Sequence, residues 1–219
     1  MPAMLDLALL TASFVTFFVV IDPIGVAPIF AALTDGSTPA HRRTMAIKSV
    51  AIATGVLIAF AYGGEWLLSA LHISLDAFRA AGGVLLFLIA LDMIFEKRTE
   101  RREERADKMA HEDESIPGTN EDISVFPMAI PMLAGPGAIA SIMLFMSGDG
   151  GSVMGQAAIF LGLGANLLAC LVIFLAVGPL MKLMGDTLAA MITRILGVIL
   201  AALAAQFIFD GISGALLGG

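Results

Sequence analysis

The second half of this chain repeats the first at a constant offset. Gly83-Val84-Leu85-Leu86 lies over Gly197-Val198-Ile199-Leu200, an offset of 114. The register runs on without a gap to Asp92-Met93-Ile94-Phe95 over Gln206-Phe207-Ile208-Phe209. The same offset sets Leu57, Phe60 and Gly64 on Leu171, Phe174 and Gly178, and lays Asp22-Pro23-Ile24-Gly25 beside Gly135-Pro136-Gly137. Each half holds three long apolar runs. A unit with an odd number of membrane crossings must enter from the opposite side when it is repeated. The pattern therefore predicts an inverted-topology repeat, an architecture used by many secondary transporters.

The membrane follows from composition and run length together. Of 219 residues, 58% are hydrophobic, and mean hydropathy is +0.94. Soluble domains hold roughly 45–50% apolar residues. Several apolar runs exceed the ~20 residues that cross ~30 Å of hydrocarbon as a helix. The expected fold is all-α: one polytopic membrane domain, residues 1–219, with six transmembrane helices at about 5–33, 44–70, 76–95, 123–147, 155–181 and 188–214. Residues 1–95 form the first three-helix repeat, 96–122 a charged linker and 123–219 the second repeat, the first helix of each repeat being interrupted. The single cysteine, Cys170, excludes an intrachain disulfide and reads as a small buried hydrophobe. The N-terminus lacks a basic region, so its apolar run reads as a first span, not a cleaved signal.

Charge gives the orientation. Eleven of the twelve Lys and Arg residues lie on or near the connections at 34–43, 96–122 and 182–187; only Arg79 is on the other side. By the positive-inside rule both termini are periplasmic and the 96–122 loop is cytoplasmic. That loop begins Glu96-Lys97-Arg98 and turns acidic after Lys108. It reads as a short helical extension of span three followed by a solvated connector, with a docking site or a His111/Glu112/Asp113 metal site as the sharper alternative.

Two spans are interrupted. Asp22, Pro23, Gly25 and Pro28 fall in the middle of the first. Proline removes an N–H and clashes with the preceding turn, and glycine tolerates unusual backbone angles, so a kink or an unwound stretch is expected over 22–28. Gly135, Pro136 and Gly137, after Pro127 and Pro131, interrupt the paired span. Paired breaks point to a transporter's binding site, because half-helix ends offer free N–H groups to a carboxylate and carbonyls to a cation. A structural kink without a ligand is the alternative. Asp22 is the one acid near a span centre, where an ionised carboxylate costs ~2.5–3.5 kcal/mol. It binds a substrate ammonium or a coupling ion, or it caps the helical piece after the break. Thr16 and Ser141 flank the two breaks, and Asn166 lies mid-span in the fifth helix. Glu65, Asp76 and Arg79 should satisfy one another near the outer surface. Gly82-Gly83 and the Gly162/Gly164 pair should allow close helix packing.

No HExxH, CxxC, P-loop or Gly-x-Ser-x-Gly pattern is present, and His41, His72 and His111 all fall at span ends or in loops. No enzyme activity, resident metal or cofactor is expected, nor any nucleic-acid partner. Phe17-Phe18-Val19-Val20-Ile21-Asp22-Pro23-Ile24-Gly25-Val26-Ala27-Pro28-Ile29-Phe30 resembles the signature of the MarC family, as does Pro131-Met132-Leu133-Ala134-Gly135-Pro136-Gly137-Ala138-Ile139. The resemblance covers essentially the whole chain. It implies a six-span protein of the bacterial inner membrane, related in fold to LysE-type exporters. Some members are described as transporters of small neutral amino acids driven by an ion gradient, so the resemblance implies an ion-coupled transporter of that kind; the repeat adds alternating access by rocking of its halves, and H⁺ or Na⁺ is the candidate coupling ion. The motif residues carried over are Asp22, Pro23, Gly25, Pro28, Gly135, Pro136 and Gly137. A passive small-solute channel and a non-transporting structural or regulatory membrane protein are the competing expectations. The partners expected are a small-molecule substrate, membrane lipid and, as a candidate, a second copy of the chain.

Overall fold

Side-chain caps set most helix starts, and two of the caps are repeat partners. Thr38 caps α3 (Pro39–Ala70) by accepting from the His41 N–H at 3.2 Å. Its counterpart at the 114 offset, Ser152, caps α6 (Val153–Leu175) by accepting from Gly155 at 2.9 Å. Each satisfies an N–H that the first turn of a helix leaves without a partner. Asp6 does the same for α1 (Leu7–Ile21) and Ser74 for α4 (Leu75–Ile94). A second helical piece, α2 (Pro23–Leu33), follows α1 directly. In the other half, Ser124–Leu133 winds irregularly, with wide-turn bonds from Met128 to Ile123 and from Ala134 to Ala129. Phe126 and Ile130 are extended there, each preceding a proline, which disfavours the helical region for its neighbour. α5 (Pro136–Gly148) comes next, and α7 (Val177–Leu217) closes the fold. This computed structural model describes residues 6–95, 122–148 and 151–217.

The expected all-helical membrane fold is observed. Among the described residues, five helical stretches are long and apolar enough to cross a bilayer: Leu7–Leu33, Pro39–Ala70, Leu75–Ile94, Val153–Leu175 and Ala190–Leu216. Ser124–Leu133 with Pro136–Gly148, bent by 56°, makes a sixth if the pair counts as one span. A few polar residues lie inside an apolar core, and large apolar residues face outward. Ser13, Thr16, Asp22, Ser49, Ser141, Asn166 and Thr193 are buried, whereas Tyr62, Trp66, Leu88, Leu161, Leu168 and Val198 are exposed. A surface of that kind is stable only against lipid.

One boundary differs from the sequence expectation. The connection expected at 182–187 is helical; the fifth span ends at Leu175, and the chain turns at Ala176. Pro179 falls in the first turn of α7, where its missing N–H costs nothing. Nothing in Lys182-Leu183-Met184-Gly185-Asp186-Thr187 stops a helix, since one interior glycine costs only about 1 kcal/mol. The expected helical extension after span three and the His111/Glu112/Asp113 cluster lie outside the described residues.

Helix packing between the halves largely recurs when the halves are exchanged. α1 packs on α6 as Ser124–Leu133 packs on α3; α2 meets α7 as α5 meets α4; α3 meets α5 as α6 meets α2. The most extensive contact joins α4 to α7. A Cβ on Gly83 would lie 2.9 Å from the Ala204 carbonyl oxygen, and one on Gly197 would lie 3.1 Å from that of Ala90. Gly83 and Gly197 are repeat partners, and so are Ala90 and Ala204. The contacts are therefore reciprocal, and the helices run antiparallel. Lipid offers no hydrophobic drive between helices, so this close approach of backbones supplies the attraction. Gly162 packs closely too, against Ser13 and Phe14 of α1, but Gly164 faces open space. It lines an apolar groove of about 370 Å³ between α3 and α6, with Thr54, Ile58, Tyr62, Phe160, Leu163 and Leu167.

Polar contacts tie the ends. Arg42 caps the end of α2, its Nε donating to Thr34 Oγ1 at 3.2 Å and Nη2 to the Thr34 carbonyl at 3.1 Å. Arg79 pairs with Asp76 at 3.8 Å. Glu65, expected to join them, is in no ion pair among the described residues. Lys48, in the third turn of α3, pairs with Asp122 at 2.9 Å, tying the first half to the chain just before Ser124–Leu133.

Two outcomes are expected. Gly83→Leu and Gly197→Leu each lower thermal stability in detergent by about 1–3 kcal/mol through overpacking, while Gly55→Leu, with open space around it, is near neutral. The second concerns acid. The Ser124 hydroxyl, then Lys48, pulls the Asp122 carboxyl from 3.8 to about 2. Its contribution is full above pH 3.8 and is lost as pH falls toward about 2. Both side chains of the pair are about half exposed, so the loss is below about 1 kcal/mol. Acid melts of Asp122→Asn should lack this component.

Candidate functional site

A single residue makes the first break. Asp22 has left-handed backbone angles, φ 56° and ψ 66°, a conformation that a short polar side chain tolerates better than most. Its N–H closes α1 by donating to the Phe18 carbonyl at 3.0 Å. Its carbonyl accepts from Val26, and its Oδ1 accepts from the Gly25 N–H, both at 3.0 Å. Asp22 thus ends one helix and caps the next. The expected unwinding over 22–28 is confined to this residue, which is a correction. Pro23 takes the first helical position, where proline is favoured. Gly25 is helical, and Pro28 sits inside α2. Glycine is required at 25 by space, because a Cβ there would run into the Asp22 carboxylate.

The carboxylate is 1% exposed. It lies at the N-terminal end of α2. From the other half, the Thr193 hydroxyl of α7 approaches it, at 3.4 Å from Oδ1 and 3.5 Å from Oδ2. Sequence reasoning missed Thr193. It sits beside Arg194 at the edge of a charged connection and carries no motif.

The second break uses backbone alone. Ala134 leaves the helical region at φ −96° and ψ 56°, Gly135 follows, and Pro136 starts α5. Gly135 lies tight against the Pro131 carbonyl. Gly137 is buried, and a Cβ there would come within 2.8 Å of both Val20 and Ile89 and 3.4 Å of Leu86. Val20 is two residues before Asp22, and Gly137 two after Gly135. The two breaks therefore pack against each other, with α4 filling in beside them. Pro136 itself is exposed, so this break is reached from outside while Asp22 is sealed.

The remaining expected residues divide. Ser141 is fully buried, and its hydroxyl has no hydrogen-bond partner among the described residues. Thr16 is buried on α1. Asn166 serves packing: its Nδ2 donates to the carbonyls of Phe14 and Gly162, both at 2.9 Å, while its Oδ1 has no partner among the described residues. Phe14 is two turns before Asp22, about 12 Å along the helix, so Asn166 belongs to the α1–α6 crossing and not to the Asp22 shell. No group of three or more His, Cys, Asp or Glu suited to a metal occurs among the described residues.

The capping role of Asp22 has a direct consequence. Asparagine caps as well as aspartate, whereas losing the cap costs about 1 kcal/mol. Asp22→Asn should melt close to the parent protein in detergent, and Asp22→Ala clearly lower. Gly25→Ala should melt lower too, because its methyl group displaces the cap.

A family model described as "MarC family integral membrane protein" matches residues 7–216. A UPF0056 membrane protein of Methanocaldococcus jannaschii is 36% identical over 97% of this chain and 100% of its own length. The UPF0056 membrane proteins YvbG of Bacillus subtilis and YhcE of Escherichia coli are each 33% identical over 92% of this chain, and over 92% and 90% of their own lengths. No solved structure matches the chain.

Proposed function

Because this chain belongs to the MarC family of integral membrane proteins, we propose that it is a secondary transporter of small neutral amino acids. The single observation that carries this reading is the meeting of two helix breaks, one from each half, at Val20 and Gly137. Discontinuous helices at a repeat interface are where transporters of this general kind bind substrate and coupling ion. Asp22 supplies the charge for a substrate ammonium, with H⁺ or Na⁺ as coupling ion. At the second break the exposed Pro136 offers the point of access for a small substrate, flanked by Gly135 and by Gly137, which Val20, Ile89 and Leu86 close off.

The reading includes six crossings arranged as two inverted three-crossing repeats. Repeat partners related by an axis in the membrane plane must run oppositely through it. The antiparallel, reciprocal crossing of α4 and α7 supports that relation over a parallel one. With eleven of the twelve basic residues on one side, both termini face away from the cytoplasm and the 96–122 loop lies within it. Rocking one half against the other then exposes the Asp22 region to each side alternately.

Asp22 favours a second reading as well, since its capping bonds would be made in a purely structural kink. One experiment separates the two. Glycine or alanine should raise the melting temperature of the purified protein in a concentration-dependent way, altered by pH or Na⁺. Asp22→Asn, folded as before, should lose that shift and also lose uptake in proteoliposomes. A protein indifferent to both solutes, with no uptake, would leave only the structural kink.

A further inference from the structure

Hydroxyl groups in these apolar helices have a standard use. Those of Thr11, Thr34, Thr44, Ser49, Thr54 and Ser147 each donate to the carbonyl four residues earlier, at 2.7–3.0 Å. That bond satisfies the hydroxyl where no water is at hand. Thr193 departs from it. Its side chain, 4% exposed, directs its hydroxyl to a residue 171 positions away, at nearly equal distances from the two Asp22 oxygens, 3.4 and 3.5 Å. The hydroxyl therefore stands across the mouth of the carboxylate, while Gly25 holds Oδ1 from within the same half at 3.0 Å. Both Thr193 distances exceed the 2.5–3.0 Å of a tight O–H···O bond. The contact aims the carboxylate without clamping it.

The contact also crosses between halves. Asp22 and its cap partners Gly25 and Val26 belong to the first half, whereas Thr193 belongs to α7. A relative displacement of the halves alters the Thr193 contact while the cap bonds stay intact.

We propose that Thr193 is a positioning residue for Asp22. Its hydroxyl orients the carboxylate toward a substrate ammonium in the closed arrangement and releases it when the halves separate. The proposal rests on the transport reading above. The test uses the full-length protein in liposomes, with labelled glycine and alanine as probes. Thr193→Val should raise KM about tenfold with a smaller change in kcat, as for loss of one hydrogen bond to a charged group, while Thr193→Ser stays within about twofold. The melting temperature without solute should change little, which a purely structural role would not allow. Should Thr193→Val fail to insert, Thr193→Ala, which adds no bulk, gives the same reading. A Thr193→Val protein that transports with the parent KM overturns the role of Thr193 alone. A parent protein that takes up neither probe overturns the transport reading, and this proposal with it.

Discussion

A helix interrupted inside a bilayer releases backbone groups that lipid cannot satisfy. Both breaks in this chain obey that constraint, by different means. At the first, Asp22 spends its N–H, carbonyl and carboxylate on the two helix ends it joins. At the second, no side chain helps: Ala134 donates back to Ala129, and Ile139 reaches Gly135. The first break is consequently a single residue with a sealed charge. The second bends its span by 56° and keeps Pro136 accessible. The halves share a backbone plan but divide the chemistry, with charge at one break and bare backbone at the other.

The packing between the halves is unequal too. At α4 and α7, Gly83 and Gly197 bring backbones close enough to exclude even a methyl group. At α3 and α6 the crossing is open, with Tyr62 and Phe160 stacked at 5.7 Å beside an apolar groove. One face of the molecule is locked by small residues and the other is filled by side chains.

Much of this was legible in advance. Apolar run length gave the helices, since runs of about 20 apolar residues fit a helical crossing that satisfies its own backbone and are too long for a barrel strand. The 114 offset paired Gly83 with Gly197 and Thr38 with Ser152, and those pairs do equivalent work. The prolines marked both breaks. The unwinding expected over 22–28 was too wide, because proline at a first helical position begins a helix as readily as it ends one. The loop expected at 182–187 followed its charge, but charge alone does not stop a helix.

From its sequence alone the chain is committed to helices, to a bilayer and to breaks at Asp22 and Gly135, because periodicity, backbone satisfaction and proline chemistry are local properties. Which residues gather at those breaks is set by tertiary packing. Val20 against Gly137 and Thr193 against Asp22 are contacts between residues more than a hundred positions apart, with no motif to announce them. Asn166, singled out for its polarity, bonds backbone at the α1–α6 crossing two turns from Asp22. A polar side chain in an apolar run states only that it needs a partner, and the fold decides which one it gets.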